Sequence, residues 1–149
     1  MTVRLQRGAF DLADETTALA RGRTDVGAVV TFTGICRAGE ADERISAMVL
    51  DHYPAMAQAE LERIEAEARN RWPLQGVTIV HRFGRMVPGD TIVLVATASA
   101  HRKAAFEAAS FLMDYLKTRA PFWKREERVS GSRWVEAKEG DDEAAARWR

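Results

Sequence analysis

Apolar positions recur along this chain with two different periods. From Ala55 to Trp72, the residues Ala57, Leu61, Ile64 and Ala68 fall three and four apart among charged neighbours, which marks one face of a long helix. Pro73 and Gly76 follow and end it. A second long helix runs to about Lys117 and carries a wide apolar face of Ala105, Phe106, Ala109, Leu112, Met113 and Leu116. Ser99 is placed to cap it, and Pro121 forbids its continuation. Asp11 is the N-cap of a shorter helix through Leu19, with Asp14 and Glu15 at its positive end.

Strand-like stretches lie between these helices. Val3 to Leu5 predicts a short strand. Gly27 to Gly34 alternates, with Ala28, Val30 and Phe32 on one face and Thr31 and Thr33 on the other. The polar stretch Arg37 to Arg44 reads as a mobile loop around Gly39, and Ile45 to Tyr53 returns as a strand that Pro54 stops. Val77 to Phe83 is a strand, Pro88-Gly89-Asp90 a turn. Thr91 to Ala98 is almost wholly apolar, as expected of a strand buried on both faces. The tail predicts a strand near Arg133 to Ala137 and a short helix from Asp141 to Trp148, with Gly131 at a turn. This order lacks strict βαβ alternation. It predicts an α+β fold whose helices pack on one side of a largely antiparallel or mixed sheet.

Composition narrows the function classes. The 149 residues suit one domain, residues 1–149, with a small subdomain. Lys and Arg number 22 and Asp and Glu number 22, so nothing argues for general binding to nucleic acid or an anionic membrane. Any anion site must be a local cluster. Cys36 is the single cysteine, so no internal disulfide forms, and a reducing compartment is the simple reading. No apolar run approaches the ~20 residues that span a bilayer, and the first residues lack the apolar stretch of a secretion signal. The expected location is the cytoplasm. His52, His81 and His101 have no carboxylate or cysteine at metal-ligand spacing. There is also no glycine-rich phosphate loop. No metal or cofactor is expected.

Three basic constellations remain. Lys117 and Lys124 flank a helix break at Pro121, with Arg125 beside the second. Two ammonium groups brought together depress the pKa of one, and such a lysine serves as acid, base or nucleophile. The plainer alternative is a cation at a helix C-terminus and a solvated neighbour. Between them, Phe122-Trp123 is either a pocket wall or a core or interface pair. Ser99-Ala-His101-Arg102 puts two basic groups at a helix start, where free N–H groups favour phosphate; the alternative is an ordinary cap. Gly34-Ile35-Cys36-Arg37 lies at a strand end. Its glycine would let a ligand approach and Arg37 would hold an anion, while Cys36 is either a nucleophile or a small buried hydrophobe. A strand end, a helix start and a helix end would surround one pocket between sheet and helices.

Several motifs taken in order resemble one family. Gly27-Ala-Val-Val-Thr-Phe-Thr-Gly34, His52-Tyr53-Pro54-x-Met56, Glu67-Ala-Arg-Asn-Arg-Trp-Pro73, Ser99-Ala-His-Arg102, Arg133-Trp-Val-Glu-Ala137 and the block from Asp114 to Glu126 are similar to the large, catalytic subunit of molybdopterin synthase, the MoaE family. The similarity runs from about Gly27 to Ala137, and the first 26 residues match loosely. It implies an α/β-hammerhead fold with an additional small antiparallel β subdomain. It implies a homodimer with a small ubiquitin-like subunit docked on each end, a heterotetramer. That partner's C-terminal Gly-Gly thiocarboxylate would enter a pocket and deliver two sulfurs to cyclic pyranopterin monophosphate, forming the dithiolene of molybdopterin. The chain would then be a sulfurtransferase of molybdenum cofactor biosynthesis, with Lys117 and Lys124 catalytic. Substrate contacts would come from Ile35, Cys36 and Arg37, from His101 and Arg102, and from Lys117, Lys124, Arg125 and Glu126. Lys138 matches a basic residue that the neighbouring large subunit supplies. Two other readings stay open on the residues alone: a non-catalytic module for a phosphorylated ligand or acidic tail, and a thiol-dependent transferase using Cys36.

Overall fold

The structure is a computed structural model that describes residues 3–39, 44–119, 121–128, 131–135 and 139–149; for 131–135 and 139–140 it describes the backbone alone. Among the described residues, two four-stranded sheets share the strands. The first has the order β1-β4-β6-β2, from β1 (Val3–Gln6), β4 (Leu74–Arg82), β6 (Thr91–Ser99) and β2 (Ala28–Ile35). Only β1 and β4 run parallel; the other pairs are antiparallel. The second sheet, β5-β3-β7-β8, is antiparallel throughout and contains β3 (Ile45–His52), β5 (Gly84–Met86), β7 (Phe122–Arg128) and β8 (Gly131–Val135). The fold is therefore α+β with a separate small antiparallel sheet.

Helices cover both faces of the first sheet, not one. α2 (Pro54–Arg71) and α3 (Arg102–Arg119) lie over Val77, Ile79, Val93 and Val95 and bury Leu61, Ile64, Phe111 and Leu112 with them. Each such side chain contributes roughly 1.5–3 kcal/mol on burial. The opposite parity of the same strands, Val80, Leu94 and Ala96, meets Phe10 and Leu19 from the side of α1 (Leu12–Ala20). A one-sided arrangement would leave Val80 and Leu94 in water, and both are fully buried. Strands β4 and β6 thus alternate between two apolar environments.

Local signals act as expected at α1, where the Asp11 carboxylate accepts from the Asp14 N–H at 2.9 Å. Pro54 both ends β3 and opens α2, because its missing N–H costs nothing in a first helical turn. Ser99 does not cap α3. It ends β6 instead, buried, with its hydroxyl donating to the Pro73 carbonyl at 2.8 Å. The helix is tied to the sheet by Thr97, whose hydroxyl donates to the Ala105 carbonyl at 2.7 Å. Two strands have no counterpart in the hydrophobic pattern, β5 and β7. The sequence of β7 is Phe-Trp-Lys-Arg-Glu-Glu-Arg, and its position is fixed by pairing with β3 and β8. A fourth helix, α4 (Glu139–Ala146), packs on α3, and just beyond it Trp148 stands edge-on to Trp72 and Phe111.

Candidate active site

The chain reversal at Pro121 brings the two lysines together. Lys117 stands in the last turn of α3, where a cation suits the helix dipole. The strand β7 then runs antiparallel to β3, so Leu50 faces Lys124, His52 faces Phe122 and Met48 faces Glu126. Strand alternation puts Phe122, Lys124 and Glu126 on one face and Trp123, Arg125 and Glu127 on the other. Lys117 and Lys124 line the same pocket, about 350 Å³ in volume, between the two sheets and α3. Its apolar wall includes Phe32 and Ile35 from β2, Ile92 from β6 and Met113 from α3. A larger hollow of about 770 Å³ lies beside Arg7, Asp51, His52 and Phe83 but contains neither lysine.

Ion pairs lie along both faces of β7. Glu126 accepts from Arg128 at 2.8 Å, and Arg125 lies 3.7 Å from Glu127 on the outer face. His81, on β4, is 6% exposed and contributes to the pocket wall. Burial lowers its pKa from 6.5 to about 4, helped by the charges of Lys117 and His52 against a bond to the Arg82 backbone. The imidazole is therefore neutral near pH 7.

Ile35 is 58% exposed at the end of edge strand β2, on the pocket rim. Cys36 is buried against Ile45, Met48, Leu50 and Met86. Burial raises its thiol pKa, and Asp90 raises it further against the opposing pull of Lys124. A high-pKa, buried thiol is a poor nucleophile. The residues flanking Arg37 fix its place: the Cys36 N–H donates to the Asp90 carbonyl, and the Ile45 N–H donates to the Ala38 carbonyl. Arg37 itself is exposed. The room left by Gly34 is filled from within the chain, since an added Cβ would meet Val93 Cγ1 at 2.6 Å.

His101 and Arg102 are exposed at the opposite end of α3. Lys117 stands fifteen helical steps after Arg102, which is about 22 Å at 1.5 Å per residue. The strands agree. Ala28 pairs with Ser99 beside the helix start, and Ile35 pairs with Thr91 at the other end. One protomer therefore cannot gather the strand end, the helix start and the helix end into a single pocket. It gathers the first and the last. Lys138 lies outside the described residues. Among the described residues no three His, Cys, Asp or Glu side chains are grouped to hold a metal, and no helix is long and apolar enough to cross a membrane.

Sequence reasoning missed His81 as a wall residue. Its signal was parity: Val77, Ile79 and His81 share one face of β4, so a polar ring stands where the pattern demands an apolar one. Asp141, at the start of α4, was missed as well.

The sequence model of the MoaE protein family matches residues 5–119. The chain belongs to the MoaE family. It is 62% identical to the molybdopterin synthase catalytic subunit of Mesorhizobium japonicum over 99% of this chain and 93% of that one. It is 55% identical to the same subunit of Escherichia coli K12 over 93% and 92%. The molybdopterin biosynthesis MoaE protein of Burkholderia ambifaria has the same fold, with a TM-score of 0.83, 49% identity and coverage of 99% and 97%. Molybdopterin synthase of Staphylococcus aureus superposes with a TM-score of 0.81 at 29% identity, covering 89% and 95%. The MoaE fold also recurs, at 24% identity and a TM-score of 0.73, in a Helicobacter pylori complex of subunits 1 and 2 of molybdopterin-converting factor, covering 92% and 90%.

Proposed function

We propose that the chain is the catalytic subunit of molybdopterin synthase, acting in the cytoplasm as a sulfurtransferase of molybdenum cofactor biosynthesis. The observation that carries this reading is the convergence of Lys117 and Lys124 on one half-apolar pocket in a chain of this family. Residues 1–149 act as one domain, with the second sheet as its β subdomain. The C-terminal thiocarboxylate of a small ubiquitin-like subunit enters the pocket, and its sulfur attacks a side-chain carbon of cyclic pyranopterin monophosphate, whose oxygen substituent leaves as water or as the opened phosphate-ester oxygen; water then cleaves the acyl–sulfur bond and returns the small subunit as a carboxylate, and a second such transfer completes the dithiolene. Both the tail and the substrate phosphate are anions. The clustered cations favour their entry although the whole chain has no net charge. The apolar wall at Phe32 and Met113 suits the flat pterin ring.

Lys117 acts as general acid and base and stabilises developing negative charge. Lys124 shares that work and holds anions, with Arg37 at the neighbouring strand end and Glu126 fixing local geometry through Arg128. His101, Arg102 and Lys138 reach a substrate from a second copy of the chain, because 22 Å of helix (about fifteen residues) keeps the first two away from Lys117 of their own. The exposed Phe32 and Ile35 on the unpaired edge of β2 suit a partner at this rim.

The test is reconstitution with a thiocarboxylated small subunit and the cyclic pterin, followed by assay for molybdopterin. Lys117→Ala is expected to abolish product while the fold and the complex with the small subunit persist. Full activity in that variant refutes the assignment. Arg37→Ala and Arg102→Ala are expected to raise KM more than they lower kcat, since they hold phosphate away from the reacting carbon.

A further inference from the structure

The two nitrogens of His81 have different surroundings. Nδ1 lies 2.8 Å from the Arg82 carbonyl oxygen. That oxygen can only accept, so Nδ1 carries the proton. A neutral imidazole protonated there has a bare lone pair on Nε2. The ring is also held in place. It stacks on Phe122 at 4.1 Å and 16°, Phe122 stacks on His52 at 5.8 Å, and His52 meets Phe83 at 4.3 Å. His81 is thus a fixed acceptor in the wall that also contains Lys117 and Lys124.

The charged and titratable groups that share its pocket or its ring stack are Lys117 from α3, Lys124 from β7, Asp141 from α4 and, across Phe122, His52 from β3. The charge of Lys117 is close enough to oppose protonation of the ring. A lysine on a flexible four-carbon stem needs a fixed partner to aim its proton. A carboxylate in that role would cancel the positive charge that anionic ligands require; a neutral imidazole does not.

We propose that His81 is a positioning residue for sulfur transfer: Lys117 lines the same pocket without a hydrogen bond to the ring in this structure, and when substrate is bound its ammonium donates to the Nε2 lone pair, which orients that proton donor towards the substrate. This rests on the catalytic reading above. Two substitutions separate the ring's functions. His81→Asn keeps an N–H for the Arg82 carbonyl but is too short to present an acceptor where Nε2 stands. His81→Gln places an amide oxygen near the Nε2 position.

Wild-type chain, reconstituted with thiocarboxylated small subunit and cyclic pterin, reports on the catalytic reading by itself. Against it, His81→Asn should lower kcat by about 10- to 100-fold, the effect of one hydrogen bond to a charged group. KM for the pterin should change by less than about threefold. His81→Gln should recover most of kcat. An unchanged kcat in His81→Asn overturns the proposal, and so does a His81→Gln as slow as His81→Asn. Should His81→Asn fail to fold, His81→Gln decides alone: a rate near wild type supports the role and a rate near that of Lys117→Ala overturns it. Imidazole nitrogen NMR on the free chain tests the geometry without turnover. The Nδ1–H tautomer is expected at pH 7. An Nε2–H tautomer overturns it.

Discussion

Acidification from pH 7 to pH 4 should weaken this fold through one ring. In the native chain His81 binds its proton only at about pH 4, chiefly because it is buried, whereas the ordinary value is 6.5. The folded pKa is depressed, so the stability it represents is present above pH 6.5 and is lost as the pH falls towards 4. At pH 5 the unfolded ring is almost fully protonated and the folded ring mostly is not. The native state is then disfavoured by about 2 kcal/mol relative to neutral pH, rising to about 3 kcal/mol at pH 4. That is a large part of the ~5–15 kcal/mol that holds a domain together. The assay is urea denaturation of the wild type and of His81→Gln at steps from pH 7 to pH 4. Carboxylates titrate equally in both chains, so the difference between the two curves isolates the ring. His81→Gln should lose about 2 kcal/mol less than the wild type between pH 7 and pH 5. Parallel curves would refute the reasoning, since the ring would then be hydrated or already charged in the native state.

Three further outcomes follow from contacts described above. Gly27→Ala should destabilise by about 2 kcal/mol or more, because its Cβ would stand 2.2 Å from the Ala100 carbonyl oxygen where β2 begins beside Ser99; thermal denaturation reads the loss. Trp148→Ala should cost about 2 kcal/mol by removing a ring packed against Trp72 and Phe111 and an indole N–H donated to Asp114; an unchanged Tm would show that the C-terminal tail contributes nothing. Cys36→Ser should leave molybdopterin formation within about threefold of wild type, and the native thiol should react slowly with a thiol reagent at pH 8, because it is 3% exposed and its pKa is raised. Loss of activity in that variant would restore a thiol-dependent mechanism.

The sequence disclosed the parts of the fold that are written locally. α1, α2 and most of α3 follow from helical spacing and from Asp11, Pro54 and Pro73, because caps and apolar stripes act within a few residues. The strand β7 was not legible. Lys124, Arg125, Glu126, Glu127 and Arg128 offer no apolar alternation, and their extended form depends on β3, some seventy residues away. That gap affected the site. Lys124 and Arg125 read as one basic group in sequence, while strand parity sends them to opposite faces. The convergence of Lys117 with Lys124 was legible from the break at Pro121. The distance from Arg102 to Lys117 could also have been computed from helix length alone, and it argues against one pocket within one chain. Ser99 was misassigned as a cap because only tertiary contact shows that its hydroxyl already serves the Pro73 carbonyl.

The parity of β7 also sets which sequence changes this pocket can survive. Met48, Leu50 and His52 oppose Glu126, Lys124 and Phe122 in fixed register. A substitution on the outward positions leaves the inner face as it is. An insertion or deletion of one residue within the strand exchanges the two faces, presenting Trp123 and Arg125 to the pocket and sending the lysine outwards. Descendants of this sequence can therefore exchange outer residues of the strand, at the cost of contacts such as Trp123 with Tyr53 and Glu127 with Arg85, without turning the inner face, but they can change its length only in steps of two.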